Sequence, residues 1–315
     1  MMYKPLVSII IPVYKGYPFL SDAIISCLNQ TYSQIEVIIV NDGSPDNGET
    51  ASIAKRFGDK VRYYEKNNGG VSSALNFGIS KMRGEWFSWL SHDDLYFPDK
   101  IEKQIEAVSK YDDKICVIRC TTSSINESGN AIFRPQRKIN GCFSATKMMH
   151  LHSLKEVGLY GCTLLIHRNI LEKCGPFDET LKTVQDEDYW NRIMFNGYSF
   201  ISIPEVLVQI RIHQGQTTNL LADRFASERE MMIRNSVSYY KKNTDENFPL
   251  LYILAKKQAL EHRIKPLNIL LDELKSNPRF NNSMKMLLYC YFTYGYLYSF
   301  VKRIYRMTII RHNRG

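Results

Sequence analysis

The chain has 315 residues, of which 44% are hydrophobic and 23% are charged. This composition is typical of a folded globular protein and excludes an intrinsically disordered chain. No uncharged apolar run reaches the roughly 18 residues of a membrane-spanning helix, so we expect none. The net charge of +9 is unevenly placed, because the last acidic residue is Glu273 and only basic charges follow it.

The N-terminus and the cysteines indicate the compartment. Residues 1–5 lead directly into a strand-like run and lack the basic, apolar and small-residue order of a signal peptide. The seven cysteines include no CxxC pair, which is typical of reduced thiols. We therefore expect a cytoplasmic protein.

Short apolar strands alternate with amphipathic helices over the first hundred residues. The predicted elements in chain order are a strand at 7–11, a helix at 20–28, a strand at 35–40, a helix at 47–57, a strand at 61–64, a helix at 71–82 and a strand at 86–90. This alternation predicts an α/β fold with a doubly wound, mostly parallel sheet of the Rossmann-like kind. Ligands of such sheets bind beyond the carboxyl ends of the strands.

The second part of the chain has a mixed pattern. We predict a helix at 99–110, a strand at 115–120, a loop-rich stretch at 121–160, a strand at 164–167, a helix at 187–195, a strand at 206–212 and helices from residue 223 onward. This pattern divides the chain into residues 1–98, residues 99–218 and a helical C-terminal extension at 219–315.

Acidic turns follow two of the predicted strands. Asp42 comes after the second strand, and Asp93 and Asp94 come after the fourth. Strand ends of this kind are where chemistry, rather than packing, is expected. We therefore take these carboxylates as candidate site residues.

Several motifs occur in a fixed order along the chain. They are VSIIIPVY at 7–14, LNQTY at 28–32, EVIIVNDGS at 36–44, NGGVSSALN at 68–76, WLSHDDLYFP at 89–98, GPFDE at 175–179, QDEDYWNR at 185–192 and RIH at 211–213. In this combination the sequence resembles the family 2 glycosyltransferases of the GT-A fold. The resemblance implies a nucleotide-sugar-binding half at 1–98 and an acceptor-binding, catalytic half at 99–218. It also implies an inverting transferase.

The resemblance implies a divalent cation at the second acidic turn. Glycosyl transfer releases a diphosphate, and Mn²⁺ or Mg²⁺ offsets its charge as a Lewis acid through carboxylate and phosphate oxygens. The resemblance makes Asp94 the expected metal ligand and Asp93 the expected contact to ribose or phosphate. Helix capping is the alternative for Asp94. Many relatives have Asp at the position of Ser91, so the acidic cluster is smaller here. His213 is expected either to complete the metal site or to be structural.

The first acidic turn is the expected base-recognition site. Asp42 can accept a hydrogen bond from the imide N–H of uracil, and backbone groups of Pro12, Val13 or Tyr14 can complete the contact. The Tyr14 ring can cover the base. An Asn-Asp-Gly turn without a ligand is the alternative. The resemblance therefore favours a uridine diphosphate (UDP) sugar as the donor.

The segment at Asn68 is expected to approach the diphosphate. A turn before a helix can present backbone N–H groups to phosphate, although a simple cap would look the same. Relatives often carry Arg where this chain has Leu75. Positive charge for the phosphates would then come from Lys66, from Arg211 or from the metal alone.

A third acidic group lies in the QDEDYWNR motif. The resemblance places Asp186 at the position of the general base that deprotonates the acceptor hydroxyl. Three acids at a helix start also suit the helix dipole, which is the alternative reading. Asp188 is expected to support the site, and Trp190 either stacks on a sugar or belongs to the core.

The end of the chain combines aromatic and basic residues. Residues 286–301 carry no charge and many rings, and the segment 302–314 is basic. This combination suits an interfacial helix on an anionic membrane, whereas packing on the catalytic domain is the alternative. We do not expect nucleic-acid binding, because no known motif accompanies the charge.

We therefore expect an enzyme that transfers a sugar from a nucleotide donor to a glycan or lipid-linked acceptor. The acceptor class suggests polysaccharide biosynthesis at the inner face of a bacterial plasma membrane. The first turn lacks the GxGxxG of dinucleotide-dependent oxidoreductases and the Gly-rich basic loop of nucleotidyltransferases. The remaining alternative is a degenerate, non-catalytic protein that acts as a scaffold for a membrane or a partner.

Overall fold

The computed structural model describes residues 3–111, 114–132, 137–216 and 221–312, with side chains as far as residue 298. The strands are β1 (Val7–Val13), β2 (Ile35–Asn41), β3 (Arg62–Glu65), β4 (Trp86–Trp89), β5 (Leu95–Tyr96), β6 (Val117–Asn126), β7 (Ala131–Ile132), β8 (Gly141–Phe143), β9 (Leu164–His167) and β10 (Phe200–Ile212). The helices are α1 (Leu20–Leu28), α2 (Glu49–Lys55), α3 (Val71–Lys81), α4 (Lys100–Ser109), α5 (Ala145–Ser153), α6 (Arg168–Cys174), α7 (Gln185–Phe195), α8 (Phe225–Tyr240), α9 (Thr244–Leu260), α10 (Ile264–Lys275) and α11 (Asn282–His312).

One sheet runs through the first two thirds of the chain, in the order β3-β2-β1-β4-β9-β6-β10-β5. The strands β1 to β4 pair in parallel, as do β6 and β10. Among the described strands, β9 alone is antiparallel to both of its neighbours, and β5 adds an antiparallel edge. The prediction of a mostly parallel, doubly wound α/β sheet is confirmed. The predicted boundary at residue 98 falls inside this continuous sheet.

The strand β1 explains why helices cover both faces of the sheet. Ile9 and Ile11 pack in one core, whereas Ile10 packs in the other. Alternating side chains of a strand point to opposite faces, so a strand that is apolar at every position needs cover on both sides. Pro12 lies beyond the last pairing with β4, so its missing N–H leaves no gap in that ladder.

The stretch predicted as loop-rich, 121–160, contains more regular structure than its pattern indicated. The strand β6 continues to Asn126, and α5 begins after Ser144, whose hydroxyl accepts a hydrogen bond from Lys147 N. The polar residues of β6 do not alternate with apolar ones, so the two-residue period of a strand is not visible in its sequence. The strand β10 likewise begins six residues earlier than predicted, because it passes Pro204 where its register with β6 shifts.

The helical C-terminal extension is present as predicted and shares a core with the sheet. Met232 on α8, Leu251 on α9 and Leu270 on α10 belong to the same buried cluster as Ile10. The helix α11 lies close against the end of α9 at Gly295, where an added Cβ would be 2.2 Å from the carbonyl oxygen of Leu260. The extension is therefore packed on the part of the chain that contains the sheet.

The last helix has both a packed and an exposed side. Leu288 is buried, and the His262 ring contacts Phe292 and Tyr296. The exposed apolar and aromatic side chains are Met286, Leu287, Tyr289, Tyr294, Tyr296, Leu297 and Tyr298. Among the helices that the structure describes, none combines the length and the apolar character needed to cross a bilayer. The side chains of the predicted basic segment 302–314 lie outside the described residues.

Candidate active site

The chain positions two acidic residues just after β4 and a histidine just after β10. The carboxylate of Asp93 and the imidazole of His213 meet there, with 2.8 Å between Oδ2 and Nε2. Burial alone would raise the pKa of Asp93, but the hydrogen bond to His213 and the proximity of His92 lower that pKa below its usual range. The two strand ends therefore bring together an ionised carboxylate and an imidazole, and we call this the Asp93 corner.

Asp94 has a different environment from its neighbour. Its Oδ1 accepts a hydrogen bond from the backbone N–H of Arg211 at 3.0 Å, and the Cys162 thiol contacts the same carboxyl. Burial, followed by the negative charge of Asp93, raises the pKa of Asp94 well above its usual range. Asp93, and not Asp94, therefore lies beside His213. The metal-ligand role expected for Asp94 stays a prediction.

Arg211, near the end of β10, stabilises the corner through hydrogen bonds. Its Nε donates to the carbonyl of Asp93 at 3.0 Å, and its Nη1 donates to the carbonyl of Glu127 at 2.9 Å. The guanidinium also lies over the Phe19 ring, 4.5 Å from its centroid. Because the side chain is buried and bonded in this way, it is not the free cation for the phosphates that we considered from the sequence.

The Asp93 corner fits a divalent cation that takes its other ligands from a substrate. One carboxylate and one neutral imidazole are suitable donors, and their atoms are close enough to share one ion. Within the described ranges, no three His, Cys, Asp or Glu side chains are grouped so that they could hold a metal by themselves. Mg²⁺ and Mn²⁺ commonly bind through one or two protein groups plus substrate phosphates.

Asp42 holds the Gly69-Gly70 turn in place. Its carboxylate pairs with Lys66 Nζ at 2.8 Å and accepts from the N–H groups of Gly69 at 3.0 Å and Gly70 at 2.7 Å. These bonds occupy most of the acceptor positions of a carboxylate. Base recognition by Asp42 stays a prediction, and it requires that the carboxylate exchange one of these partners for the imide N–H.

The other residues expected at the nucleotide surround this turn. Pro12 and Val13 end β1, and the Val13 carbonyl accepts from Asp42 N at 2.8 Å. Asn68 Nδ2 donates to the Asp42 carbonyl at 2.9 Å. The Tyr14 side chain is 42% exposed, so its ring is open to stacking.

Two lysines, rather than an arginine, supply positive charge near the Gly69-Gly70 turn. Lys66 reaches it through Asp42, and Lys182 Nζ donates to the Gly69 carbonyl at 2.7 Å. Leu75 is fully buried in the core under α3, which explains why an apolar residue is tolerated there. The sequence pattern missed Lys182 because it comes more than a hundred residues after the turn.

A cleft of about 300 Å³ lies at the start of α7. It is lined by His152, Lys155, Val157, Gly158, Leu159, Tyr160, Asp186, Glu187 and Trp190. Burial raises the pKa of Asp186 to about 6. The hydrogen bond that Asp186 Oδ1 accepts from the Glu187 backbone N–H at 2.7 Å opposes this shift. A carboxyl that titrates near neutral pH in a cleft is suited to accept a proton.

The three acids that begin α7 differ in their partners. Asp188 is buried against Arg192, with 2.9 Å between Oδ2 and Nη2, and Glu187 pairs with Lys257 of α9. No ion pair to Asp186 occurs within the part of the chain that the structure describes. Asp186 therefore differs from its two paired neighbours, and its role as the base stays a prediction. Asp188 is held inside the protein by Arg192.

Trp190 belongs to the core rather than to a sugar platform. Only 1% of the residue is exposed, its Nε1 donates to the Leu159 carbonyl at 3.0 Å, and its ring packs edge-on against Phe177. Sugar stacking by Trp190 is therefore not available in this conformation. Tyr160 lines the same cleft and is 45% exposed, so it is the ring open to a ligand.

The segment 159–162 connects the cleft to the Asp93 corner. At one end, the Leu159 carbonyl accepts from Trp190, and at the other, Cys162 contacts Asp94. Between them, an added Cβ on Gly161 would lie 2.2 Å from the Trp89 ring, at the end of β4. Only glycine permits this approach, so the two parts of the site are neighbours through a short, tightly packed segment.

Sequence comparison identifies one family. The profile described as "Glycosyl transferase family 2" matches residues 8–175. An uncharacterized glycosyltransferase of Rickettsia typhi is 46% identical over 220 residues, which cover 69% of this chain and 67% of that protein. An uncharacterized glycosyltransferase of Rickettsia felis is 42% identical over 230 residues, but these cover 36% of its length.

Solved structures with the same fold include S. aureus TarS. The TarS 1-349 complex with UDP-GlcNAc has a TM-score of 0.67 at 16% identity and covers 87% of this chain and 82% of that one. The TarS 1-349 complex with UDP has a TM-score of 0.66 at 15% identity, and the match covers 96% of this chain and 92% of the TarS chain. At this identity the likeness establishes the fold, which is of the GT-A type that the motifs implied.

Proposed function

This chain belongs to glycosyl transferase family 2, and we propose that it is an inverting enzyme that takes its sugar from a UDP donor. The observation that carries the proposal is the Asp186 carboxyl, which has a raised pKa, lines a cleft and, among the described residues, has no ion pair like those of its two acidic neighbours. Such a group is matched to accept a proton at neutral pH.

The proposed reaction is a single displacement. The acceptor hydroxyl oxygen forms a bond to the anomeric carbon while the bond from that carbon to the diphosphate oxygen breaks. The hydroxyl proton goes to the Asp186 carboxylate, and the bonding electrons leave with UDP. Attack on the face opposite the leaving group inverts the anomeric configuration.

On the donor side, Asp93 and His213 are proposed to hold Mn²⁺ or Mg²⁺ together with the diphosphate. The ion, when bound, supplies Lewis-acid stabilisation of the leaving phosphate. Tyr14 is open to cover the base, and Asp42 shapes the turn that faces the phosphates. The UDP-GlcNAc and UDP complexes of TarS support a UDP donor with a hexosyl or N-acetylhexosaminyl group.

The acceptor is proposed to be a glycan or a lipid-linked glycan that the enzyme meets at the inner face of an anionic membrane. Support comes from the exposed rings of α11, including Tyr289, Tyr294 and Tyr298, and from the basic sequence after them. Sedimentation with phosphatidylglycerol vesicles tests this. The doubly substituted Tyr294→Ser, Tyr298→Ser protein should lose sedimentation, and equal recovery with phosphatidylcholine vesicles would argue against an anionic surface.

Release of UDP tests the enzymatic proposal directly. The protein is incubated with Mn²⁺ and a panel of nucleotide sugars, and UDP is measured with and without mixed glycan acceptors. We expect UDP release from one UDP-sugar, and no release after chelation of the metal. Absence of turnover together with absence of Mn²⁺-dependent UDP binding would favour the scaffold alternative.

A further inference from the structure

The C-terminal extension places a charged residue against one wall of the cleft that contains Asp186. Lys257, on α9, is buried, and its Nζ pairs with the carboxylate of Glu187. Glu187 lines the cleft and is adjacent in sequence to Asp186. Lys257, which is 70 positions after Glu187 and outside the motifs, therefore pairs with the sequence neighbour of the proposed base.

The Lys257 pair determines the charge that Asp186 experiences. Glu187 has a pKa of about 2, because the proximity of Lys257 and His152 outweighs the burial that would raise it. Glu187 is therefore ionised beside Asp186 at neutral pH, and its negative charge is compensated by Lys257. The pKa of Asp186 is raised by burial first and by Glu187 next, whereas Lys257 lowers it.

The other charged groups around the cleft compensate one another. Lys155 Nζ lies 2.9 Å from Glu261 Oε1, and Glu261 also pairs with Arg263. His152 is buried beside Lys257, and burial lowers its pKa to about 4, so it is neutral at pH 7. The positive charge of Arg229, on α8, also lowers the pKa of Glu187.

We propose that Lys257 is a positioning residue for catalysis: its ion pair with Glu187 keeps Asp186 available as an ionised base in the acceptor cleft. The C-terminal extension then contributes to catalysis through Lys257, in addition to a role in membrane binding or packing. Lys257 does not touch the substrate; it acts through Glu187 on Asp186. The inference rests on the proposed role of Asp186, but its test does not depend on turnover.

The test measures the titration of Asp186 itself. Protein labelled with ¹³C at the aspartate carboxyl carbons is titrated by NMR between about pH 4.5 and 8.5, and the Asp186 signal is assigned by its absence in Asp186→Asn. In Lys257→Met we expect the Asp186 pKa to rise by about one unit, because a nearby positive charge is lost. In Glu187→Gln we expect it to fall by about one unit, because a nearby negative charge is lost while Lys257 remains.

Two further variants separate charge from folding. Lys256→Met removes the neighbouring lysine, whose Nζ lies over the Tyr291 ring at 4.7 Å from its centroid, and should leave the Asp186 titration unchanged. Lys257→Arg should retain the wild-type value because it preserves the charge. A general loss of structure would move Lys257→Met and Glu187→Gln in the same direction, whereas the proposal requires opposite directions.

An unshifted Asp186 titration in folded Lys257→Met would overturn the inference, whatever Glu187→Gln gives. If Lys257→Met does not fold, Lys257→Gln is titrated in its place. Failure of the proposed function has a different signature, since Asp186→Asn would then keep its rate of UDP release whatever the titrations give.

Discussion

The Asp93 corner and the Asp186 cleft are built in different ways. At the corner, the acidic and histidine side chains follow the ends of strands, and backbone N–H groups such as that of Arg211 hold the acids by hydrogen bonds. At the cleft, a helix start presents three acids, and cations on α7 and α9 compensate two of them. The groups of the corner are thus fixed by backbone hydrogen bonds, whereas the cleft is an arrangement of charges in which two of the three acids are paired.

This difference decides which kind of substitution each region tolerates. We expect a change at the corner to act on binding, because its groups are proposed to hold a ligand. A change at the cleft should act on proton transfer if it alters Asp186, and on stability if it alters one of the two paired acids.

Asp186→Asn removes the proposed base while preserving the shape of the side chain. We expect the rate of UDP release in the presence of acceptor to fall by about 10² or more, with UDP affinity near the wild-type value. Steady-state kinetics and calorimetric UDP binding measure the two quantities. If the rate persists, the base is another residue; if UDP binding is lost as well, the cleft and the corner are not independent.

Asp188→Ala leaves the Arg192 guanidinium buried without its charge partner. We expect a loss of about 3 kcal/mol in the free energy of unfolding, measured by urea denaturation. The matched control is Asp272→Ala, which removes an exposed carboxylate paired with Lys275 and should cost no more than about 0.5 kcal/mol. Equal effects in the two variants would mean that the buried pair is not structural.

Asp93→Ala and Asp94→Asn distinguish the two acids of the corner. Removal of Asp93 should weaken Mn²⁺-dependent UDP binding by at least about tenfold, since even indirect partners of metal ligands contribute that much. Asp94→Asn keeps an oxygen that can accept from Arg211 N, so the metal dependence should survive. The reverse pattern would restore Asp94 to the role that the sequence motif gave it.

The pH dependence of transfer gives the smallest effect. Because burial raises the pKa of Asp186 to about 6, the base is ionised above that pH and protonated below it. We therefore expect kcat/KM to fall as the pH decreases through about 6 and to reach a plateau above it. A rate that still rises above pH 8 would point to a different titrating group.

The sequence predicted the corner well because its motifs are local. The apolar strand before Asp93 and the strand before His213 place both residues at one sheet edge, and the pattern shows both strands. Which of two adjacent acids lies beside His213 depends on the turn between Ser91 and Asp94, where Asp94 N donates to the Ser91 carbonyl. No periodicity encodes that turn.

The sequence predicted less of the cleft because its walls come from distant segments. Asp186 was a candidate because of its motif. His152, however, lies on α5, in a stretch that the sequence pattern predicted to be loop-rich. Lys257 lies on a helix whose sequence has no local signal of function. The exclusion of Trp190 as a sugar platform depends on tertiary packing against Phe177 and the Leu159 carbonyl. Contacts of this range follow from the fold and not from local pattern.

We propose that Asp93 and His213 at the corner hold the cation and the donor diphosphate while Asp186 faces the acceptor. An anomalous difference map from crystals grown with Mn²⁺ and UDP locates the cation. We expect one strong peak that contacts Asp93 and His213 together with the diphosphate. A peak on Asp94 without Asp93, or UDP bound away from this corner, would contradict it.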